Sequence, residues 1–317
     1  MTRYKRKITT VICSVLILLL LGVGIWQLIK YLNIDPTYKK LSKFPIVYNM
    51  SDDTSDEIKV TDDIAYIDPW DELSITDQYS ELDFNGIRYS SRKAQISADM
   101  LLDKIGDYTT HGTDMINDIK YTKNAEVYPV KDISNECAVA VKLEGTEEYY
   151  IYVNSNYRPE TLGDFIADLN LKELLSFGTV SYNYDEIKGK TYINERVDFT
   201  NVGDEIIWQK LLSDTALKNV HSDQAWYEKT VISIGVDIDL LGYKNIGLWI
   251  TEDGYMQTNI LDTGKTFFIG KEKVSEITNY LLDNCDGERY VYTVVDETIG
   301  IDGEYEATPS VEVNTED

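Results

Sequence analysis

The stretch Ala138-Val139-Ala140-Val141-Lys142-Leu143-Glu144-Gly145-Thr146-Glu147-Glu148-Tyr149-Tyr150-Ile151-Tyr152-Val153 reads as one β-hairpin. Its first arm is apolar, its middle Glu144-Gly145-Thr146 is a glycine-bearing turn, and its second arm is aromatic and β-branched. Residues 246–251, Glu252-Asp253-Gly254 and residues 255–261 repeat the arrangement, with Gly254 standing 109 positions after Gly145.

Working outward, other features recur at similar offsets. Strand-like residues 84–89 correspond to 191–196, and a helix expected over 99–105 behind Ser97 corresponds to one over 205–211. A helical stripe of Leu162, Phe165, Ile166 and Leu169 corresponds to Val274, Ile277 and Leu281, and closing strands fall at 179–184 and 289–295. Offsets of 106 to 109 across four features, the later helices being matched at Asp164 and Glu272, favour duplication. The expectation is an α+β fold of two tandem β-α-β-β-β-α-β units with mainly antiparallel sheets, over residues 84–188 and 189–296. Comparable spacing in any α+β chain is the alternative.

Each unit would bury one sheet face under two helices and leave the other available. On that exposed face the expected binding residues are Tyr150 and Tyr152, with Tyr182 and Tyr184 on the closing strand. Such aromatic rows bind peptides or sugars, and also pack against a neighbouring unit.

Near the amino terminus, Arg3, Lys5, Arg6 and Lys7 precede an uncharged apolar run over residues 8–29. The run is long enough to cross a bilayer as one helix. The basic flank places residues 1–7 in the cytoplasm and the bulk outside, a single-pass signal-anchor. The bulky Trp26-Gln27-Leu28-Ile29 favours an uncleaved anchor over a cleaved signal peptide. Residues 30–83 read as an acidic stalk, in which Trp70 is expected to dock on the folded part, and 297–317 as a disordered acidic tail. A cytoplasmic flank this short leaves no room for a signalling domain inside.

The chain carries 55 acidic against 30 basic residues, a formal charge of −25, which repels nucleic acid and favours cations or basic partners. Catalytic signatures are missing. Gly189-Lys190-Thr191 and Gly264-Lys265-Thr266 lack the earlier glycine of a phosphate loop, Tyr184 and Asn259 standing in its place. His111 and His221 form no His-x-x-x-His pair, no Gly-x-Ser-x-Gly elbow occurs, and Asp237 with Asp239 belongs to no complete calcium loop. No enzyme activity, metal or cofactor is expected. Cys137 and Cys285 permit one disulfide without requiring it.

Tyr150-Ile151-Tyr152-Val153-Asn154, Tyr157-Arg158-Pro159-Glu160-Thr161-Leu162-Gly163-Asp164-Phe165 and Trp249-Ile250-Thr251-Glu252-Asp253-Gly254-Tyr255 resemble a membrane-tethered ectodomain family of clostridial Gram-positive bacteria. The resemblance covers roughly residues 84–295 and implies no activity; some members look like anti-sigma factors with a cytoplasmic sigma-binding module. With only seven residues ahead of the apolar run, this chain is not expected to bind a sigma factor directly. The function expected is protein binding or envelope sensing outside the membrane, with an envelope or membrane protein as partner. The alternative is a structural envelope protein with a cation-attracting acidic surface.

Overall fold

The computed structural model describes residues 36–52, 70–115, 117–188, 191–220 and 229–295. The apolar run 8–29, the cytoplasmic flank, residues 30–35 and 53–69 of the expected stalk and the tail 297–317 lie outside them. The described part of that stretch is not a stalk, since residues 46–52 form a strand of the large sheet and 81–84 a strand of the barrel. No helix among the described residues is long and apolar enough to cross a membrane. The chain divides into two units, Met1–Pro45 and Ile46–Asp317. The first contributes the short helix α1 (Pro36–Leu41).

The second unit is mostly β and overturns the tandem-repeat expectation. In chain order it contains β1 (Ile46–Asp52), α2 (Ile75–Gln78), β2 (Glu81–Phe84), β3 (Ile87–Ile96), β4 (Gly106–Asp114), β5 (Ile119–Pro129), β6 (Ala138–Leu143) and β7 (Tyr149–Val153). Then come α3 (Leu162–Asp168), α4 (Leu171–Leu174), β8 (Ser176–Lys188), β9 (Thr191–Phe199), α5 (Asp204–Lys210), β10 (Thr230–Ile238) and β11 (Tyr243–Thr251). β12 (Tyr255–Thr258), β13 (Lys265–Phe268), α6 (Lys271–Asn284) and β14 (Gly287–Val295) complete it.

Strands β2 to β7 close into a six-stranded barrel in the order β2-β3-β7-β6-β5-β4, with Leu82 of β2 pairing Thr110 of β4. The remaining strands form one sheet in the order β1-β14-β9-β8-β10-β11-β12-β13. The two halves are therefore dissimilar. β8, the closing strand of the supposed first unit, pairs with β9 and β10 of the second.

Local chemistry explains the differences. Residues 84–89 are not one strand: Asn85 and Gly86, at φ 52° and 79°, form a two-residue turn that folds β2 onto β3 with Phe84 opposite Ile87. The helix expected over 99–105 is only a 3₁₀ turn, Ala98–Met100. Its apolar residues had no core to meet, since Leu102 and Ile105 remain 52% and 37% exposed.

The barrel is filled, with Leu82, Phe84, Tyr89, Val127, Val141 and Tyr152 in its core. The two buried phenols stay hydrogen-bonded, Tyr89 donating to the Asn135 carbonyl and Tyr152 to that of Tyr79, both at 2.6 Å. Trp70 stacks on Tyr121 at 4.6 Å, the docking expected of it. The sheet buries its other core under helices. Leu162 and Phe165 of α3 and Leu171 of α4 face Val236, Leu248, Met256 and Phe267, while Ile207 of α5 and Ile277 and Leu281 of α6 face Val180, Ile232 and Ile234. A reciprocal capping box between Thr161 and Asp164 starts α3.

Barrel and sheet meet at a polar joint. Arg92 of β3 reaches Asp262 at 2.9 Å and lies over the Tyr243 ring at 4.1 Å. Gly242, at φ 73°, allows close approach, because a Cβ there would sit 2.6 Å from that of Ala94. Arg158 donates to Thr263 at 2.7 Å, and the fully buried Lys265 donates to the Thr263 carbonyl at 2.9 Å.

Candidate functional site

Side-chain alternation divides the large sheet into two unlike faces. Cross-strand register puts Val180, Tyr182 and Tyr184 of β8 on the helix side, with Glu195, Val197 and Phe199 of β9 opposite them and Ile232 and Ile234 of β10 beside them. The intervening residues face the other way and build rows that are mostly polar. One runs Tyr290, Arg196, Asn183 across β14, β9 and β8; the next runs Tyr292, Asn194, Asp185; a third runs Val294, Tyr192, Ile187. Another begins with Glu288, Asp198 and Ser181 and continues through Ser233 and Trp249 to Gln257. Most of these side chains are half-buried, and Arg196, Glu288, Ile187 and Val294 are exposed.

Hydrogen bonds order this open face. Tyr192 and Asn194 both donate to Asp185 Oδ1 at 2.6 Å, and the Lys229 ammonium stands 3.7 Å from Oδ2. Arg196 grips Asp198 with Nε and Nη2, each at 2.6 Å, and Ser181 donates to the same carboxylate at 2.7 Å. Burial alone would raise the Asp198 carboxyl, but the guanidinium and hydroxyl hold it below the usual carboxylate range. Arg196 also lies 5.7 Å from the Tyr290 ring. Toward β11, Gly235 pairs with Gly247, and the Trp249 ring lies across the bare backbone, 2.1 Å from where a Gly247 Cβ would be. The face offers aromatic rings, amides, hydroxyls and charges already matched by neighbours. That chemistry suits non-covalent recognition.

The four tyrosines expected on an exposed face are not there. Tyr152 is fully buried in the barrel, and Tyr150 packs half-buried against the same core. Tyr182 is 6% exposed and Tyr184 half-buried, both on the helix side of β8. The physical reason is phase. An antiparallel sheet turns its more apolar set inward, so in Tyr182-Asn183-Tyr184-Asp185 the tyrosines go to the helices and Asn183 and Asp185 face out. The same alternation in Tyr192-Ile193-Asn194-Glu195-Arg196 and Tyr290-Val291-Tyr292 was the available signal for the residues missed.

Other sequence candidates are satisfied structurally. Lys244 lies between Asp237 and Asp239, and Asp237 also accepts the Asn245 amide at 2.6 Å. His111 Nε2 is 3.0 Å from Glu81 on the barrel wall. Cys137 and Cys285 are buried and not joined to each other, and burial pushes the Cys137 thiol up. Among the described residues no group of three or more His, Cys, Asp or Glu could hold a metal ion. Comparisons with protein-family models, with curated proteins and with solved structures find no match for this chain.

Proposed function

We propose that this chain is a membrane-tethered, extracytoplasmic binding module that recognises another envelope protein through the open face of its large sheet. The observation carrying this reading is the unlikeness of the two faces: one lies under α3 to α6, and the other presents Tyr192, Tyr290, Tyr292, Asn183, Asn194 and Arg196 in register across three strands. Tyrosine and arginine are the residues most useful at such interfaces, giving area and hydrogen bonds together. Charges on the face are locally paired even though the chain is strongly acidic. Anchoring through residues 8–29, with the amino terminus cytoplasmic and the bulk outside, belongs to the same proposal, as does kinship with the clostridial ectodomains. The module has no catalytic role and no cofactor in this reading.

A photo-crosslinking residue placed at Asn183 in intact cells tests it, with the exposed helix position Lys172 as control. A discrete protein adduct should form from position 183 alone and vanish when Asp185→Ala and Tyr292→Ala are added. Equal adducts from both positions would refute recognition by this face.

A further inference from the structure

A second surface, on the barrel, has a different character. Ala98, Leu101, Leu102, Asp103, Tyr128 and Tyr149 line an open groove of about 560 Å³ on the outer wall. Its floor is Tyr128 set edge-on to Tyr149 at 5.2 Å, and the Tyr128 hydroxyl donates to Glu126 at 2.7 Å, which fixes the ring. Leu102, 52% exposed, stands at its rim with the similarly exposed Ile105 close by in sequence. Exposed apolar groups gathered beside a groove mark interaction sites, whereas scattered ones do not.

The groove is also preformed. Leu102 N–H donates to the Pro129 carbonyl at 3.0 Å, Ile105 N–H to Val127 at 2.8 Å, and Lys131 N–H to Met100 at 2.9 Å. These bonds pin the 101–105 segment to the end of β5, so little ordering remains to oppose binding.

Beside the aromatic floor lies a second hollow of about 410 Å³ whose lining includes Asp107, Glu126, Lys142, Glu144 and Glu147. The two hollows adjoin through the Tyr128–Glu126 bond and through Lys142, whose ammonium lies 5.7 Å from the Tyr149 ring. The basic groups here are already engaged: Lys104 bridges Asp107 and Glu126 at 2.9 and 3.0 Å, and Lys142 reaches Glu147 at 3.1 Å. With Asp103, the linings hold five carboxylates and one ammonium group, that of Lys142, with Lys104 and Lys123 beside them, the latter donating to the Glu144 carbonyl at 3.2 Å. A local negative excess beside an apolar floor selects a partner carrying positive charge and an apolar anchor.

We propose that this groove binds a basic segment of a partner protein, seating an aliphatic or aromatic side chain on Tyr128 and Tyr149 and placing its Lys or Arg side chains against Asp103, Asp107, Glu144 and Glu147. The site is independent of the sheet-face reading, and either can fail alone.

Selection of displayed random short peptides on the full-length chain in detergent micelles tests it. Enriched peptides should carry net positive charge together with Leu, Phe or Trp. A labelled synthetic copy, followed by fluorescence anisotropy, should bind about tenfold more weakly after Leu102→Asp and after Glu147→Lys, and about tenfold more weakly in high salt than in low. Both substitutions fall at exposed positions, Glu147 having 95% of its side chain in solvent, so an unchanged thermal transition should accompany the loss. No enrichment, enrichment of neutral or acidic peptides, or binding that both variants leave intact overturns the proposal. A dimer of the full-length chain in micelles that Leu102→Asp converts to a monomer would assign the groove to a second copy and overturn it as well.

Discussion

Glu195 and Arg289 form a buried ion pair beneath the helix side of the sheet, 2% and 6% exposed, with Arg289 Nη2 at 2.8 and 2.7 Å from the two carboxylate oxygens. Removing one partner from such a pair leaves a desolvated charge and costs roughly 3–5 kcal/mol, whereas replacing both with apolar groups of similar size is often nearly neutral. Arg289→Met should therefore lower the urea midpoint sharply, and Glu195→Leu combined with Arg289→Met should restore much of it. Equal midpoints for the single and double variants would show that the pair is not coupled. Lys265 is the second informative residue. Burial first, and the Arg158 charge next, push its amine down to about 7 from 10.5, while Cys137 and Asp262 act weakly the other way. The unfolded chain then holds a proton that the folded chain has released over pH about 7 to 10.5, so stability rises with pH across that window. At the alkaline end the raised phenols of Tyr89 and Tyr152 oppose the gain, since the unfolded chain ionises them first. Chemical denaturation at pH 7 and pH 9 should show stabilisation in the wild type and little or none in Lys265→Met.

At the level of elements, glycine placement sorts the joints that matter. A Cβ on Gly112 of β4 would lie 1.7 Å from the Gln78 carbonyl at the end of α2, so Gly112→Ala must push that helix off the barrel. Overpacking of this kind costs about 1–3 kcal/mol or more. At Gly203, the N-cap of α5, nothing lies within 4 Å of an added Cβ, so Gly203→Ala meets no clash and should cost only about 0.5–1 kcal/mol by thermal denaturation, the preference of a helix N-cap for glycine over alanine. The elements legible in the sequence were those with strong local signals. The β6–β7 hairpin turns at Glu144-Gly145-Thr146 as read, and α3 and α6 bury the stripes that their 3.6-residue spacing announces. Missed elements had either an overlooked signal or a weak one. Asn85-Gly86 is a strong hairpin turn that a strand reading ran straight through. In β4 the inward positions are Tyr108, Thr110, Gly112 and Asp114, only one of them with a large apolar body, so apolar alternation is faint and closure of the barrel supplies what propensity does not. The binding face was half legible: period-two alternation located its strands, but tyrosine's dual character concealed which phase the core would take.

Across the whole molecule, the barrel is assembled from contiguous sequence and the large sheet is not. All six barrel strands fall between Glu81 and Val153, whereas the sheet joins Ile46–Asp52 to Gly287–Val295. Contacts so distant in sequence form late, because loop closure must precede any reward for pairing. Pulsed hydrogen exchange during refolding should therefore protect amides of β5 and β6 before those of β1 and β14. Simultaneous protection of both sets would mean that the barrel cannot form ahead of the sheet.

The pairing of β1 with β14 is parallel, and six β1 positions from Ile46 to Asp52 have partners on β14. Held at its amino-terminal end and pulled from its carboxyl-terminal end, the unit would feel force along these two strands in opposite directions. Their hydrogen bonds would then resist in shear, sharing the tension instead of opening one after another like a zip. The first and last strands of the unit thus act as a mechanical clasp against a pull applied at its two ends.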